Sequence, residues 1–105
     1  MSDKAWKAFE RDCAKAFGAE RHWANAGERV DFTGPHVIGQ CKLVKNLSLE
    51  SLTKLAEEMD AAGAADSKLG VVCTKVRRGN GRKSPIIITM TLAQLTAWLD
   101  FRERI

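Results

Sequence analysis

Four polar residues, Glu10, Asp31, Gln40 and Lys42, interrupt an otherwise regular apolar pattern. A partly buried carboxylate is costly unless it is paired, hydrogen-bonded or bound to a metal. Mg²⁺ prefers oxygen ligands, usually one or two carboxylates together with water and substrate phosphate. Glu10 and Asp31 could supply the carboxylates, Gln40 a side-chain oxygen and Cys41 a backbone carbonyl. Lys42 could position or help deprotonate an attacking water, or stabilise charge on a phosphate.

A predicted β-hairpin carries three of these residues. Alternating apolar residues predict a strand over Glu28–Thr33 and a second strand over Val37–Val44. Gly34-Pro35, between them, is typical of a turn. The hairpin therefore predicts two adjacent antiparallel strands.

The predicted turn decides which polar residues meet. Side chains alternate between the faces of a strand, so Gln40 and Lys42 share one face. A tight turn places Asp31 opposite Gln40 and brings Lys42 onto the diagonal, at ~7–8 Å between backbone positions. Glu10 could reach the same patch from the preceding helix. The alternative is that this face of the hairpin is simply solvated.

The remaining elements are predicted from apolar spacing and capping residues. They are a helix over residues 3–17 ended by Gly18, a helix from the N-cap Ser48 to Ala61–Ala65, strands at Leu69–Thr74 and Ile86–Met90, and a helix from Thr91 with a Thr91–Gln94 capping box. Leu92, Leu95, Trp98 and Leu99 form the predicted core-facing stripe of the last helix. The order α-β-β-α-β-β-α predicts a small α/β domain with a mixed central sheet flanked by helices.

Composition narrows the functional classes. A chain of 105 residues predicts a single domain over residues 1–105. The 17 Lys and Arg exceed the 13 Asp and Glu, and the net charge of +4 favours a polyanionic partner. No apolar run reaches the ~20 residues of a membrane span, and the polar start is unlike a secretory signal, so we expect a cytoplasmic protein with no membrane partner.

Cysteine usage gives no metal-binding pattern along the chain. Cys13, Cys41 and Cys73 are odd in number and form no CxxC pair, and His22 and His36 have no zinc-ligand spacing. The three cysteines are predicted to be small buried hydrophobic residues in a reducing compartment.

Basic residues cluster between Lys75 and Lys83, where five positive side chains and no acid surround Gly79-Asn80-Gly81. With three residues beside the hairpin they form the predicted DNA contacts: Arg21, His22, Lys45, Lys75, Arg77, Arg78, Arg82 and Lys83. Contacts to phosphates give affinity without sequence information. The alternative is an ordinary solvated loop between strands. For Trp23, base stacking, a dimer contact and packing all stay open.

These motifs together resemble the PD-(D/E)xK nuclease superfamily, and are most similar to the small Holliday-junction resolvases of archaea and phages. The matching stretches cover nearly the whole chain: Trp6-x-x-Phe9-Glu10, then Arg21 to Gly27, Val30-Asp31-Phe32, and Gly39-Gln40-Cys41-Lys42. The chain departs from the family pattern at Gln40, where most members have Glu, and at Val30, where the family name has Pro.

The resemblance implies a restriction-endonuclease-like fold and a homodimeric, Mg²⁺-dependent endodeoxyribonuclease, with Mn²⁺ as a possible substitute. Its substrate would be a four-way junction or other branched DNA, in the cytoplasm of a bacterial or phage-infected cell. The implied catalytic residues are Glu10, Asp31, Gln40 and Lys42. The alternatives are an Mrr-like restriction or repair endonuclease acting on duplex DNA, a DNA-binding module of the same fold without catalysis, and a structural protein.

Overall fold

A computed structural model describes residues 2–22, 30–78 and 83–103. In these ranges the chain forms a five-stranded mixed sheet and three helices. The elements are α1 (Ser2–Ala16), β1 (Glu20–Arg21), β2 (Phe32–Thr33), β3 (Val37–Val44), α2 (Leu49–Ala65), β4 (Leu69–Val76), β5 (Ile86–Thr89) and α3 (Leu92–Glu103). The predicted mixed α/β class is confirmed, and β1 is an additional strand.

The strands lie in the order β1-β2-β3-β4-β5. β1, β2 and β3 are successively antiparallel, β3 and β4 are parallel, and β5 returns antiparallel to β4. The parallel pair needs a crossover connection, which α2 provides. The β3–β4 register pairs Cys41 with Cys73 and Lys42 with Thr74.

The two faces of the sheet are covered by different helices. On one face Phe9 and Cys13 of α1 pack against Cys41 and Cys73 in a cluster that also contains Phe32. On the other face Met59 of α2 packs against Ile38 and Val72. Because the sheet is buried on both faces, β4 has an almost continuous apolar sequence.

The hairpin between β2 and β3 has the predicted turn, since the Gly34 N–H donates to the Val37 carbonyl at 2.7 Å. Phe32 pairs with Gly39, and a Cβ on Gly39 would collide with the Phe32 ring. The missing side chain therefore lets the aromatic ring lie flat across β3.

The first predicted strand is shorter than expected. Residues 28 and 29 lie outside the described ranges, and β2 contains only Phe32–Thr33. Asp31 lies in a bend just before it. An aspartate is poorly suited to a strand interior, and its side chain here takes over a backbone hydrogen bond.

The predicted core-facing stripe of α3 is wrong in part. Leu92 is 74% exposed, Leu95 and Leu99 are also exposed, and only Trp98 is half-buried. The buried residue is Gln94, whose amide bonds the N–H and the carbonyl of Gly70, at 2.7 and 2.8 Å. This side-chain bridge, rather than the leucine stripe, holds α3 against β4.

The predicted strand near residue 86 exists, but it is not buried. Ile86, Ile87 and Ile88 of β5 are all exposed, because β5 is an edge strand of the sheet.

In the described ranges no helix combines the length and apolar character that crossing a bilayer requires.

Candidate functional site

Asp31 lies next to the last described pair of the ladder between β2 and β3, Phe32 with Gly39. Its N–H donates to the Gly39 carbonyl and its carbonyl accepts the N–H of His22, each at 2.8 Å. Its Oδ2 accepts the N–H of Cys41 at 2.7 Å. These bonds bracket Gln40 from both sides, so Asp31 lies beside Gln40, as the predicted turn requires.

The groups around Asp31 shift its pKa in opposite directions. Burial raises the pKa of Asp31 above its ordinary value, while the Cys41 N–H lowers it. The carboxylate of Glu10 raises the pKa further, and the ammonium of Lys42 lowers it. Glu10 and Lys42 therefore both lie within electrostatic reach of Asp31, and the ionised carboxylate is held in an unfavourable position.

Glu10 is buried on α1, with 6% of its surface exposed. One turn earlier on the same helix, the Trp6 Nε1–H donates to its Oε2 at 2.6 Å. The Arg21 Nε–H donates to its Oε1 at 2.8 Å from the edge strand β1. Both carboxylate oxygens thus have a donor, and Arg21, a predicted DNA contact, neutralises Glu10.

Gln40 and Lys42 lie on the face of β3 that is turned toward α2, because they alternate with Cys41 on the α1 face. The Oε1 of Gln40 is buried and has no hydrogen-bond partner among the described residues, and the same is true of the Thr74 Oγ1. A buried polar group without a partner costs about 1–3 kcal/mol. An unpartnered amide oxygen is consistent with the predicted neutral ligand.

The candidate residues therefore approach Asp31 from two sides. Glu10 belongs to the helix on one face, and Gln40 and Lys42 belong to the other. Asp31, in the bend before β2, is the carboxylate on which both Glu10 and Lys42 act. The expectation of one shared face is met for Gln40 and Lys42 but not for Glu10, which reaches Asp31 from α1.

The carboxylates of Glu10 and Asp31 provide part of the oxygen ligands that a hard cation such as Mg²⁺ needs. In the described ranges Glu10 and Asp31 do not belong to a group of three His, Cys, Asp or Glu ligands. Two carboxylates are nevertheless the usual protein contribution to a Mg²⁺ site, with water and phosphate completing it. Gln40 Oε1 and the Cys41 carbonyl stay predicted ligands.

Most of the predicted DNA contacts lie near the carboxyl ends of β3 and β4. Lys45, Arg77, Arg78 and Lys83 are exposed, and Lys75 is half-buried. The Arg77 N–H donates to the Val44 carbonyl at 2.7 Å, which ties the two strand ends together.

Besides Arg21, the remaining predicted DNA contacts are His22 and Arg82. His22 lies on the other side of the hairpin, with Nε2 at 2.7 Å from Thr33 Oγ1. Arg82 and Trp23 lie outside the described residues.

A cavity of about 400 Å³ lies elsewhere, between α2, α3 and the start of β4. His36, Asp60, Lys68 and Trp98 are among its lining residues. None of the predicted catalytic residues lines it, so it is separate from the Asp31 site.

Two features were missed from the sequence. Thr74 joins Gln40 and Lys42 on the α2 face, which only the β3–β4 register reveals. The three cysteines, far apart in sequence, meet in the core. All three cysteines lie on apolar faces of α1, β3 and β4, and this shared burial was a signal that they could meet. Metal-motif spacing considers only separation along the chain, so it does not detect such a cluster.

No protein-family model, curated protein or solved structure matches this chain.

Proposed function

We propose that this protein is a metal-dependent DNA endonuclease with a restriction-endonuclease-like fold, acting on branched DNA such as a four-way junction. The observation that carries the proposal is the environment of Asp31, a carboxylate with a raised pKa that lies within electrostatic reach of Glu10 and Lys42 and bonds the Cys41 N–H. Such perturbed groups concentrate at functional sites. The order of helical Glu, Asp, QxK strand, crossover helix and parallel strand agrees with the resemblance.

The proposed metal is Mg²⁺, with Mn²⁺ as a substitute. Glu10 and Asp31 would hold it, with the Cys41 carbonyl as a neutral ligand. Gln40 Oε1, the other proposed neutral ligand, starts from the α2 face and would have to reach the ion at the bend that contains Asp31. When bound, it would supply positive charge that offsets the repulsion between the carboxylates and the phosphate. Arg21 would then exchange its ion pair with Glu10 for a DNA phosphate, since both partners compete for the same guanidinium.

Lys42 is the proposed catalytic cation. Phosphodiester hydrolysis forms a bond from a water oxygen to phosphorus and breaks the bond to one ester oxygen, which leaves with a proton. Negative charge builds on the phosphate during this step, and a preorganised ammonium stabilises it. Lys42 is half-buried on the face that Gln40 shares, so its position is restricted.

The exposed basic residues support a DNA partner. Lys45, Arg77 and Arg78 extend from the strand ends nearest Lys42, where they could follow a phosphate backbone. Such contacts confer affinity that falls steeply with salt and carries no base readout. Recognition of DNA shape at a branch point is consistent with this surface.

A homodimer is proposed because paired cuts on opposing strands require two active sites. The exposed isoleucines of β5 and leucines of α3 are the candidate interface. An edge strand with unpaired backbone groups and apolar side chains is suited to pairing with a second copy.

The test is incubation with a synthetic four-way junction and with linear duplex of the same sequence, with and without Mg²⁺. Paired, symmetric incisions in the junction that require Mg²⁺ or Mn²⁺ would support the proposal. Cutting of linear duplex at the same rate would instead indicate an Mrr-like restriction or repair endonuclease.

A second candidate function, DNA binding without catalysis, is favoured by one observation. Both Glu10 oxygens already accept hydrogen bonds, from Trp6 and Arg21, so the carboxylate is satisfied without a metal. Junction binding in EDTA with no incision after either metal is added would establish this function. Absence of salt-sensitive DNA binding would contradict both candidates.

A further inference from the structure

All three cysteines of the chain converge on one point of the core. Cys13 comes from α1, Cys41 from β3 and Cys73 from β4, and each is at most 2% exposed. Their Sγ atoms all lie within 4.8 Å of one another. The parallel register that pairs Cys41 with Cys73, and the packing of α1 over both strands, produce this arrangement.

The spacing suits three-coordinate binding of a metal ion. A metal–thiolate bond of about 2.3 Å places three sulfurs in a trigonal arrangement at about 4 Å from one another. The observed limit of 4.8 Å is close to that separation, so small side-chain rotations would complete the site. No large backbone movement is required.

The ligand set selects the kind of ion. Thiolates favour soft ions, among them Cu⁺ and Zn²⁺. Structural Zn²⁺ sites are almost always four-coordinate. Among the described residues no histidine, aspartate or glutamate joins the three cysteines, and the buried surroundings leave little room for water as a fourth ligand. Three sulfurs without a fourth ligand favour Cu⁺ over Zn²⁺.

Neighbouring groups shift the pKa values of the three thiols in opposite directions. Hydrogen bonds from Cys41 and Cys73 lower the pKa of Cys13, whereas Cys13 raises the pKa of Cys41 and that of Cys73. Lys75 adds a nearby positive charge, which also lowers the pKa of Cys13. Asp12 and Asp31 act on the cluster in the opposite direction.

We propose that Cys13, Cys41 and Cys73 form a buried three-sulfur site for one Cu⁺ ion. Because the thiolate is the form of cysteine that ligates a metal, binding releases three S–H protons and leaves a net charge of −2 at the site, and the oxidation state of the metal does not change. The ion would clamp α1 to β3 and β4. This site shares Cys41 with the proposed nuclease centre, but it uses the Cys41 sulfur rather than the backbone carbonyl, and it uses none of the proposed catalytic side chains, so Cu⁺ uptake can be tested separately from incision.

The test is titration of the full chain with Cu⁺, under anaerobic reducing conditions, in competition with a chromophoric Cu⁺ chelator. We expect uptake of one ion per chain, a thiolate-to-metal absorption band in the ultraviolet, three sulfur neighbours by X-ray absorption, and a raised melting temperature. Uptake no greater than that of a variant in which all three cysteines are replaced by alanine would overturn the proposal. Preferential uptake of Zn²⁺ would also overturn it.

Matched variants separate ligation from packing. Cys73→Ala and Val72→Ala each truncate a fully buried side chain, at neighbouring positions of β4 that face opposite sides of the sheet. Cys73→Ala should lose uptake, and Val72→Ala should retain it. Should Cys73→Ala fail to fold, Cys13→Ala on α1 serves the same purpose. Equal Cu⁺ uptake by a folded cysteine variant and Val72→Ala would refute the site.

Discussion

At the scale of single residues, Asp31 serves the fold and the proposed chemistry at once. Its side chain replaces a backbone acceptor for the Cys41 N–H, which holds the end of the hairpin together. The same carboxylate lies within reach of Glu10 and Lys42. A residue with both roles can be tested only by substitutions that separate them.

Asp31→Ala and Asp31→Asn make this separation. Alanine leaves the buried Cys41 N–H without an acceptor, so we expect a loss of about 1–3 kcal/mol in the free energy of unfolding. Asparagine keeps an acceptor oxygen and should cost about 1 kcal/mol or less. Urea denaturation of both variants measures the difference. Equal stability of the two variants would show that the hydrogen bond is not important.

The raised pKa of Asp31 predicts a pH dependence of stability. Between the ordinary value of 3.8 and the higher folded-state value, the folded protein holds a proton that the unfolded chain has lost. The stabilising contribution of Asp31 is therefore complete below 3.8 and disappears as pH rises through the folded-state pKa. The free energy of unfolding of the wild type, relative to Asp31→Asn, should fall as pH rises over this range. A stability difference that is constant or rises with pH would contradict a raised pKa for Asp31.

Some residue-level features follow from the sequence and others do not. Asp31, Gln40 and Lys42 were predicted together because the alternation of a strand and a turn signal fix their relative positions. The ion pair of Arg21 with Glu10 could not be predicted, since β1 is only two residues long and has no apolar pattern. Short edge strands form by tertiary pairing rather than local propensity.

At the scale of elements, the hairpin and the parallel β3–β4 pair position the site. The N-cap Ser48 accepts the Ser51 N–H at 3.1 Å, and α2 begins where predicted. Gly18 follows the end of α1 by two residues and has a φ of 62°, the left-handed conformation that its predicted capping role requires. Caps and turns depend on local chemistry, so the sequence reveals them.

Gly39→Ala tests how strictly the hairpin is packed. The added Cβ would collide with the buried Phe32 ring, and overpacking of this kind typically costs 1–3 kcal/mol. We expect about that loss in the free energy of unfolding. Combination with Phe32→Leu, which shortens the opposing side chain, should cost less than the sum of the two single variants. Additive losses would show that the two residues do not contact each other.

The orientation of α3 was the main error at this scale. Its leucines have helical spacing, which predicts an apolar face but not what covers it. In the folded chain Gln94 takes the buried position, because its amide satisfies both backbone groups of Gly70. The exposed leucines and the edge strand β5 then form an apolar surface.

At the scale of the whole molecule, the basic surface and the apolar surface meet at the end of β4. Lys75 of β4 pairs with Ile86 of β5, so the basic residues near the ends of β3 and β4 border the apolar face of β5 and α3. Composition predicted the basic character, and the order of the elements predicted the mixed sheet. Neither could predict that the apolar surplus would lie on an edge strand, because that depends on strand order.

Ile87→Lys tests whether this face joins two copies. Ile87 is 51% exposed, so a lysine should be tolerated in the folded monomer but not in an apolar interface. We expect a shift from dimer to monomer in sedimentation, with the melting temperature of the monomer little changed. Leu49→Lys, at a position of α2 that is 78% exposed, is the matched control and should remain dimeric. A wild-type monomer, or an Ile87→Lys dimer, would refute this interface.

The most direct test of the central claim is the rate of Mg²⁺-dependent incision of a four-way junction by the wild type and by Lys42→Met. Lys54→Met is the control, since Lys54 is an exposed cation on α2 whose ammonium lies 3.8 Å from Glu50. We expect incision by the wild type and by the control, and none by Lys42→Met despite retained junction binding. Incision by Lys42→Met at the wild-type rate, or no incision by the wild type with either metal, would contradict it.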